Sequence, residues 1–458
     1  MAVAPPPAVP SGVIARVRSD LRSQRAARGG WPPGELAFSP RRTLEFERYP
    51  LRLLLRCYER FGPVFTIRLL YAPIVFALGP QANHYITVSH ASNFRWRDGS
   101  MGDLIPLLGD GLLTTDGDYH RRARRIMLPA FHREQLAEST AIMTGEAENA
   151  IDPWRGGQRL DLYAWTRRLA LRIALRALFG FDPGHSARDA EMAEQFEEAL
   201  GFWGKDYVVQ MFRGPGSPWR SMNRARAQLD RVIFAEIDRR RASGDRGVDI
   251  LSLLLDAEDE DGGRLSDREL RDQVMTLLFA GHDTTTSTIT FFFFELARNP
   301  GEIAPLVAEL DEGGSARLDM AVDEILRLYP PAWIGPRRSV EAFELQGVHV
   351  PAGVNVNYCS WASHHLADVF PEPERFRPER FAPEAKAELP KGAYVPFGGG
   401  SRTCIGMRFG QLEIKAIAAS ILRRFRLELA EPDRRVSIRQ MPTLSPRGGM
   451  PVVVRERD

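Results

Sequence analysis

The sequence predicts a mainly α-helical protein with a small β-rich portion, folded as a single domain over residues 36–458. Three observations predict it. A capped helical run of about thirty residues ends at Pro300, a length of roughly 45 Å at ~1.5 Å per residue. Extended, alternating runs are confined to two short places. The rest carries helical periodicity, with no internal repeat and no interdomain linker.

In chain order, residues 1–35 are rich in Pro, Gly and Arg and read as a mobile extension. VFTIRLL (64–70) and IVFAL (74–78) flank Tyr71, Ala72 and Pro73 and predict a β-hairpin. GVHV (347–350) and VNVNY (354–358) around Pro351-Ala352-Gly353 predict a second. Between them lies the long helix. Ser266 and Glu269 form a capping box, which satisfies orphan backbone donors at a helix start. In its middle, Ala280-Gly281-His282-Asp283-Thr284-Thr285 conflicts with helical propensity, since Gly costs stability and Asp and Thr compete for backbone hydrogen bonds. The apolar flanks Leu277–Phe279 and Phe291–Phe294 argue for burial, and a local conflict inside a strong helix marks a functional site.

Composition excludes several classes. The 61 basic and 59 acidic residues leave a net charge of +2, which gives no support to wholesale nucleic-acid binding. The three cysteines, Cys57, Cys359 and Cys404, are odd in number and far apart, against a disulfide framework, a structural zinc site or an iron–sulfur cluster. No stretch approaches ~20 uninterrupted apolar residues, so no membrane span is expected. The N-terminus lacks a secretory signal, and Arg16, Arg18, Arg22, Arg25 and Arg28 read as a solvated basic extension rather than a transit peptide. A cytoplasmic, monomeric enzyme is the expectation.

Cys404 follows a glycine run and precedes apolar positions Ile405, Phe409, Leu412, Ala416 and Ala419, one face of a helix. At a helix N-terminus the dipole and free N–H groups favour a thiolate. Such a thiolate is a nucleophile or a metal ligand. His364 or His365 are candidate bases for the first role, although nothing in the sequence places them nearby.

Phe397, Gly400, Arg402, Cys404 and Gly406 match FxxGxRxCxG, and the chain resembles the cytochrome P-450 family in this haem-binding signature. Glu324-Ile-Leu-Arg327 resembles the family's ExxR motif, Pro378-Glu-Arg-Phe381 its PERF motif, and AGHDTT (280–285) its oxygen-activation motif. Four motifs in order over residues 36–458 make chance improbable, although ExxR alone says little.

The resemblance implies a triangular helical prism with haem b between the long central helix and the cysteine helix. Cys404 is then the axial iron ligand, whose thiolate favours O–O cleavage, a case the general principles of haem ligation already include. Glu324, Arg327 and Arg380 form a structural ion-pair network, with Arg375 a weaker candidate. Asp283 and Thr284 are the acid–alcohol pair for proton delivery, and irregularity at Gly281 opens room for oxygen. Ala280, Phe397, Gly398 and Gly406 border the haem, and His120, Arg124, Arg337 and Arg402 hold its propionates.

Soluble bacterial members are similar in reading His at position 120. The short Pro300–Glu324 segment, the lack of an anchor and the lack of a fused reductase agree with a free-standing enzyme. The implied activity is insertion of one atom of O2 into a lipophilic molecule (fatty acid, steroid, terpene or polyketide), with NAD(P)H electrons through a ferredoxin or flavodoxin and its reductase. A peroxide-using enzyme and a non-catalytic haem sensor or carrier are the rivals; the Asp283–Thr284 pair disfavours the first, and the second, which does not require that pair, is separated by product formation under turnover. Leu104, Ala280 and Ile334 are the substrate contacts expected, with Met101, Ile105, Leu107, Leu108, Trp333, residues 202–219 and Thr443-Leu444 around them. Arg121, Arg122, Arg125 and Arg408, with Lys415, are expected to form a cationic patch for an acidic electron donor.

Overall fold

The computed structural model describes residues 17–457 except 19, 20, 23, 26–29, 133–135, 185, 206–208, 211–213, 245 and 246. Most of the expected extension lies outside these residues.

The capping box forms as the sequence demands. Ser266 Oγ accepts from the Glu269 N–H at 3.3 Å, and the Glu269 carboxylate accepts from the Ser266 N–H at 2.9 Å. From there Asp267–Arg298 runs as one helix of 32 residues to the Asn299–Pro300 stop. Around it, in chain order, stand α1 (Pro40–Arg48), α2 (Pro50–Phe61), α3 (Gly117–Met127), α4 (Leu136–Ile151), α5 (Leu162–Phe179), α6 (Ala187–Gly201) and α7 (Pro218–Ser243). The long helix is α8; α9 (Ala316–Leu328) and α10 (Met407–Arg424) follow. α8 packs against α5, α7, α9 and α10, and α10 packs also on α4. Burial from several sides explains why its polar centre survives inside a largely apolar environment.

The larger sheet has six strands: β1 (Gly34–Glu35), β2 (Val64–Leu69), β3 (Ala72–Ala77), β4 (Phe94–Arg95), β6 (Gly335–Ser339) and β9 (Asn355–Tyr358), in the order β1-β2-β3-β9-β6-β4. The first hairpin is present, with Val64 opposite Ala77 and Leu69 opposite Ala72. Its turn is tighter than expected: Leu70, at φ 49°, turns the chain so that Ala72 and Pro73 join the strand. Pro73 is tolerated because β9 pairs only with residues 75–77 of β3, so the missing N–H breaks no bond to β9.

The second predicted hairpin does not form. β8 (Val348–Val350) pairs back with β7 (Phe343–Leu345), whereas β9 pairs with β3 and β6 in the large sheet. The turn is Gln346-Gly347, both at positive φ (52° and 75°), as a two-residue hairpin requires. Pro351 and Gly353 then lead the chain away. A third sheet joins β10 (Phe425–Leu429), β13 (Pro451–Glu456) and β5 (Arg159–Asp161), and β11 (Ile438–Arg439) pairs with β12 (Ser445–Pro446). Cys404 lies three residues before α10 rather than on its first turn.

Candidate active site

α8 and α10 meet where the Thr285 hydroxyl donates to the Glu413 carboxyl at 2.8 Å. From that contact, helical spacing carries one face of α8 back to Gly281 and one face of α10 back to Gly410 and Gly406. A Cβ added at any of these three glycines meets no atom within 4 Å. Phe279, Ala280 and Thr284 are half-buried although their neighbours on α8 are buried. The two helices therefore diverge and leave a narrow slot with a glycine wall on each side. α8 stays helical through Gly281, so the room comes from the missing side chain rather than from a break in the helix.

Cys404, three residues before α10 and two before Gly406, is exposed, while Cys57 and Cys359 are buried. Its N–H donates to the Phe397 carbonyl at 2.9 Å, which fixes the loop. The glycine run has two tasks. Gly400, at φ +61°, lies so close to the Thr87 carbonyl that a Cβ would sit 2.3 Å from it, and Gly398 turns the chain at φ +71°. Although Cys404 is exposed, the protein packed around its sulfur desolvates the thiol and raises it above its usual range, opposed by the Gly406 N–H and by Arg124.

One rim of the site is built from cations. Arg337 is 3% exposed and has no acidic partner among the described residues. Its guanidinium lies 3.6 Å from the ring centroid of Trp96 and bonds the Tyr358 hydroxyl. Arg124 and Arg95 likewise have no carboxylate partner among the described residues, whereas Arg402 pairs with Asp116 at 2.6 Å and donates to the Leu112 and Thr115 carbonyls. His120 is buried, and burial together with Arg402 and Arg124 pushes it down to about 3, so its ring is neutral. Unpaired buried guanidinium groups are costly. This rim is short of negative charge, and a flat group bearing two carboxylates satisfies both the slot and the rim. Haem fits these residues on that observation. Arg95, Trp96 and Asp116 went unnoticed in the sequence because only the fold brings FRWR beside Arg402.

Asp283 and Thr284 do not touch, since successive helical residues point about 100° apart. Thr284 faces the slot, and its hydroxyl donates to the Ala280 carbonyl at 2.7 Å. Asp283 is buried on another face, where its Oδ1 accepts from Arg167 at 2.7 Å. Its Oδ2 has no partner, and burial raises its carboxyl against the pull of Arg167. Arg167 also pairs with Glu197, whose side chain is 38% exposed. The neutral His282 ring contacts the Arg167 carbonyl at 3.0 Å, so Nε2 carries the proton. Glu413, also missed, is pushed up to about 8 by burial and keeps Oε1 unpartnered. Its signal was the lone carboxylate of α10, in line with Gly406 and Gly410 and flanked by the apolar Leu412 and Ile414.

Glu324, Arg327 and Arg380 lie together. Glu324 and Arg327 are fully buried and share two bonds of 2.7 and 2.8 Å. Arg380 lies 3.4 Å from Glu324, an ion pair too long for a good hydrogen bond, while Arg375 is exposed. Arg327 also donates to the His364 and Pro373 carbonyls. His364 accepts from the Val395 N–H and His365 bonds the Trp361 carbonyl, so both rings serve the backbone and neither is a base for Cys404.

Leu104 is buried and Ile334 half-buried; Leu107 and Leu108 are fully enclosed in the core. Residues 206–208 and 211–213 of the expected pocket lie outside the described residues. The expected cationic patch is largely neutralised. Arg122 pairs with Asp259 and Glu269, Arg125 with Glu260, Arg121 with Asp118 and Lys415 with Asp319. Asp259 and Glu260 come from the loop before α8 and Glu269 from its first turn, positions the sequence does not reveal, whereas Asp118 lies on α3 itself and Asp319 on α9.

The Cytochrome P450 family profile matches residues 43–450. The chain is 37% identical over 362 residues to cyclooctatin synthase of Streptomyces melanosporofaciens, covering 74% of this chain and 77% of that one. It is 32% identical over 433 residues to cyclooctat-9-en-7-ol 5-monooxygenase of the same organism, covering 91% and 93%. The cyanobacterial CYP120A1 structure with retinoic acid bound superposes with a TM-score of 0.82 at 28% identity, over 93% of this chain and 99% of that one. No helix among the described residues is long and apolar enough to cross a membrane. The profile match over residues 43–450, the relatives matched over 74% and 91% of the chain and the shared fold lead to one assignment: the chain belongs to the cytochrome P450 family of haem monooxygenases.

Proposed function

We propose that this monooxygenase oxidises a lipophilic, terpene-like small molecule, taking NAD(P)H electrons through a ferredoxin or flavodoxin. The observation that supports the reading is the exposed Cys404 with the Arg124 charge near it, beside a buried Arg337 that forms no ion pair among the described residues. Haem b, when bound, supplies O2 activation. The protein supplies the rest. Cys404 Sγ is the ligand on one side. Arg124, Arg337 and Arg95 take the carboxylates, while Arg402 is held back by Asp116 and anchors residues 112–116. Gly281 and Ala280 leave a small volume on the other side, and Thr284 Oγ1 holds a proton at its edge. Asp283 reaches that hydroxyl only by leaving Arg167, so Arg167 and Glu197 set when the carboxyl is free.

The two Streptomyces relatives favour a terpene-like substrate over the other lipophilic classes, and half-buried Met101, Ile105 and Ile334 offer apolar surface for it. The reduced protein under CO should show the red-shifted Soret band of thiolate ligation, and Cys404→Ala should abolish it. Retention of the band in that variant would transfer the ligand role to Cys57 or Cys359, whose thiols burial pushes up to about 11 and about 12. Titration with terpene alcohols should shift the haem spin state; a shift produced by fatty acids alone would overturn the substrate class.

A further inference from the structure

Charge is distributed very unevenly along this chain. Residues 16–60 hold eleven arginines against five acidic residues, a net +6 in a chain whose total is +2. Residues 61–458 are therefore net −4. Charge asymmetry of this kind points to a partner at one end of the molecule.

The described part of that region forms one surface. α1 sits on the tip of the first hairpin, where Arg42 donates to the Arg68 carbonyl and the Leu70 N–H donates to Thr43 Oγ1. Gln24 reaches the same tip through the Tyr71 carbonyl, which brings the arginine-bearing segment alongside. Helical spacing puts Arg41, Leu44 and Arg48 on one exposed face of α1, with Tyr49 at its end and Arg52 on the first turn of α2. Phe38 is 67% exposed, Tyr49 58%, Leu44 52% and Leu36 37%. Arg42 and Arg56 are spent on Glu35 and Glu45. Arg41, Arg48 and Arg52 form no hydrogen bond or ion pair to a side chain among the described residues, although the Glu45 charge acts on Arg41 and Arg52 and Glu47 is exposed beside Arg48.

Four large apolar side chains held in water among unpaired arginines suit an interface that is greasy a few ångströms deep and anionic at its surface. A nucleic acid would use the arginines and leave Leu36 and Leu44 without purpose. We propose that this face docks the protein peripherally on a bilayer rich in anionic lipid. Leu36, Phe38, Leu44 and Tyr49 enter the headgroup boundary, and Arg41, Arg48 and Arg52 meet the lipid phosphates.

The test is sedimentation of the intact haem-loaded protein with vesicles of phosphatidylcholine alone and of phosphatidylcholine with phosphatidylglycerol. The protein should bind the anionic vesicles more tightly, and 0.5 M salt should weaken the binding. Combined Arg41→Gln, Arg48→Gln and Arg52→Gln should lower the partition by on the order of 100-fold, at about fivefold per arginine. Phe38→Ser with Leu44→Ser should lower it while leaving the salt dependence unchanged. Equal binding to both vesicle types, or wild-type binding by the triple arginine variant, overturns the proposal. A triple variant that binds vesicles normally but is reduced more slowly by an acidic ferredoxin assigns the face to a protein partner instead. Unaltered haem content and thermal midpoint in each variant show that the fold is intact.

Discussion

Arg337 shows how single residues disclose a missing partner. Buried and stacked on Trp96, it forms no ion pair among the described residues and feels Asp116 only at a distance, so a carboxylate from outside the chain would satisfy its charge. Glu413 is the opposite case, a carboxyl kept neutral by burial. Its folded value of about 8 lies above the unfolded value, so below roughly pH 4.5 it is protonated in both states and costs nothing. Between about 4.5 and 8 the unfolded chain ionises while the folded protein resists, so stability falls across that window. Glu413→Gln removes the penalty. Its unfolding free energy in urea should match wild type at pH 4 and exceed it at pH 8.5, by up to about 5 kcal/mol. Equal differences at both pH values would show that the carboxyl ionises freely. Thr284→Ala removes a hydroxyl that faces the slot and touches only the Ala280 carbonyl among the described residues. It should leave substrate-driven NAD(P)H consumption in place, with more peroxide and less product. Unchanged coupling would remove Thr284 from proton delivery and revive the peroxide-using reading.

At the scale of elements, α3 carries neighbouring arginines with different tasks. Arg122 ties α3 to the loop before α8 through Asp259, Glu269 and the Arg264 carbonyl. Arg124 is half-buried near Cys404 and has no ion-pair partner among the described residues. Arg122→Glu should therefore lower stability by about 1–3 kcal/mol, a broken network of partly buried pairs, while haem stays bound. Arg124→Glu should lower haem retention with a smaller effect on the apoprotein. Thermal melting with and without haem separates the two, and loss of haem in the Arg122 variant alone would reverse the assignment. With Arg121, Arg122 and Arg125 each paired to an acid, stopped-flow reduction by an acidic donor should depend only weakly on salt.

Over the whole molecule, the Glu324–Arg327 pair joins α9 to the segments around His364, Pro373 and Arg377, the last through its N–H to Glu324 at 2.9 Å. This ties the cysteine side of the protein to the helical body. Glu324→Gln leaves Arg327 buried against a neutral partner, and truncating one member of a buried pair costs about 3–5 kcal/mol. The expected result is a lower thermal midpoint and poor haem incorporation, with CO spectra of the folded fraction unchanged. A wild-type midpoint would mean that solvent reaches the pair.

Alone, the sequence determined what depends on neighbours along the chain. The capping box at Ser266 set the start of α8, Pro300 set its end, and alternation produced the first hairpin. The four motifs placed Cys404, Glu324, Arg327 and Thr284 because each reads as a residue type at fixed spacing. Tertiary structure decided what depends on segments far apart. Val348–Val350 and Asn355–Tyr358 went to different sheets because backbone pairing is chosen by which edge is free in space. Arg122 became a tether rather than a docking charge because Asp259 and Glu269 are brought to it. Asp283 turned from Thr284 toward Arg167, 116 residues away, because helix geometry separates adjacent side chains and burial demands a countercharge. The rim of Arg95, Trp96, Asp116 and Arg337 exists only where β4, β6 and the start of α3 converge, since electrostatic balance is a property of space and not of chain order.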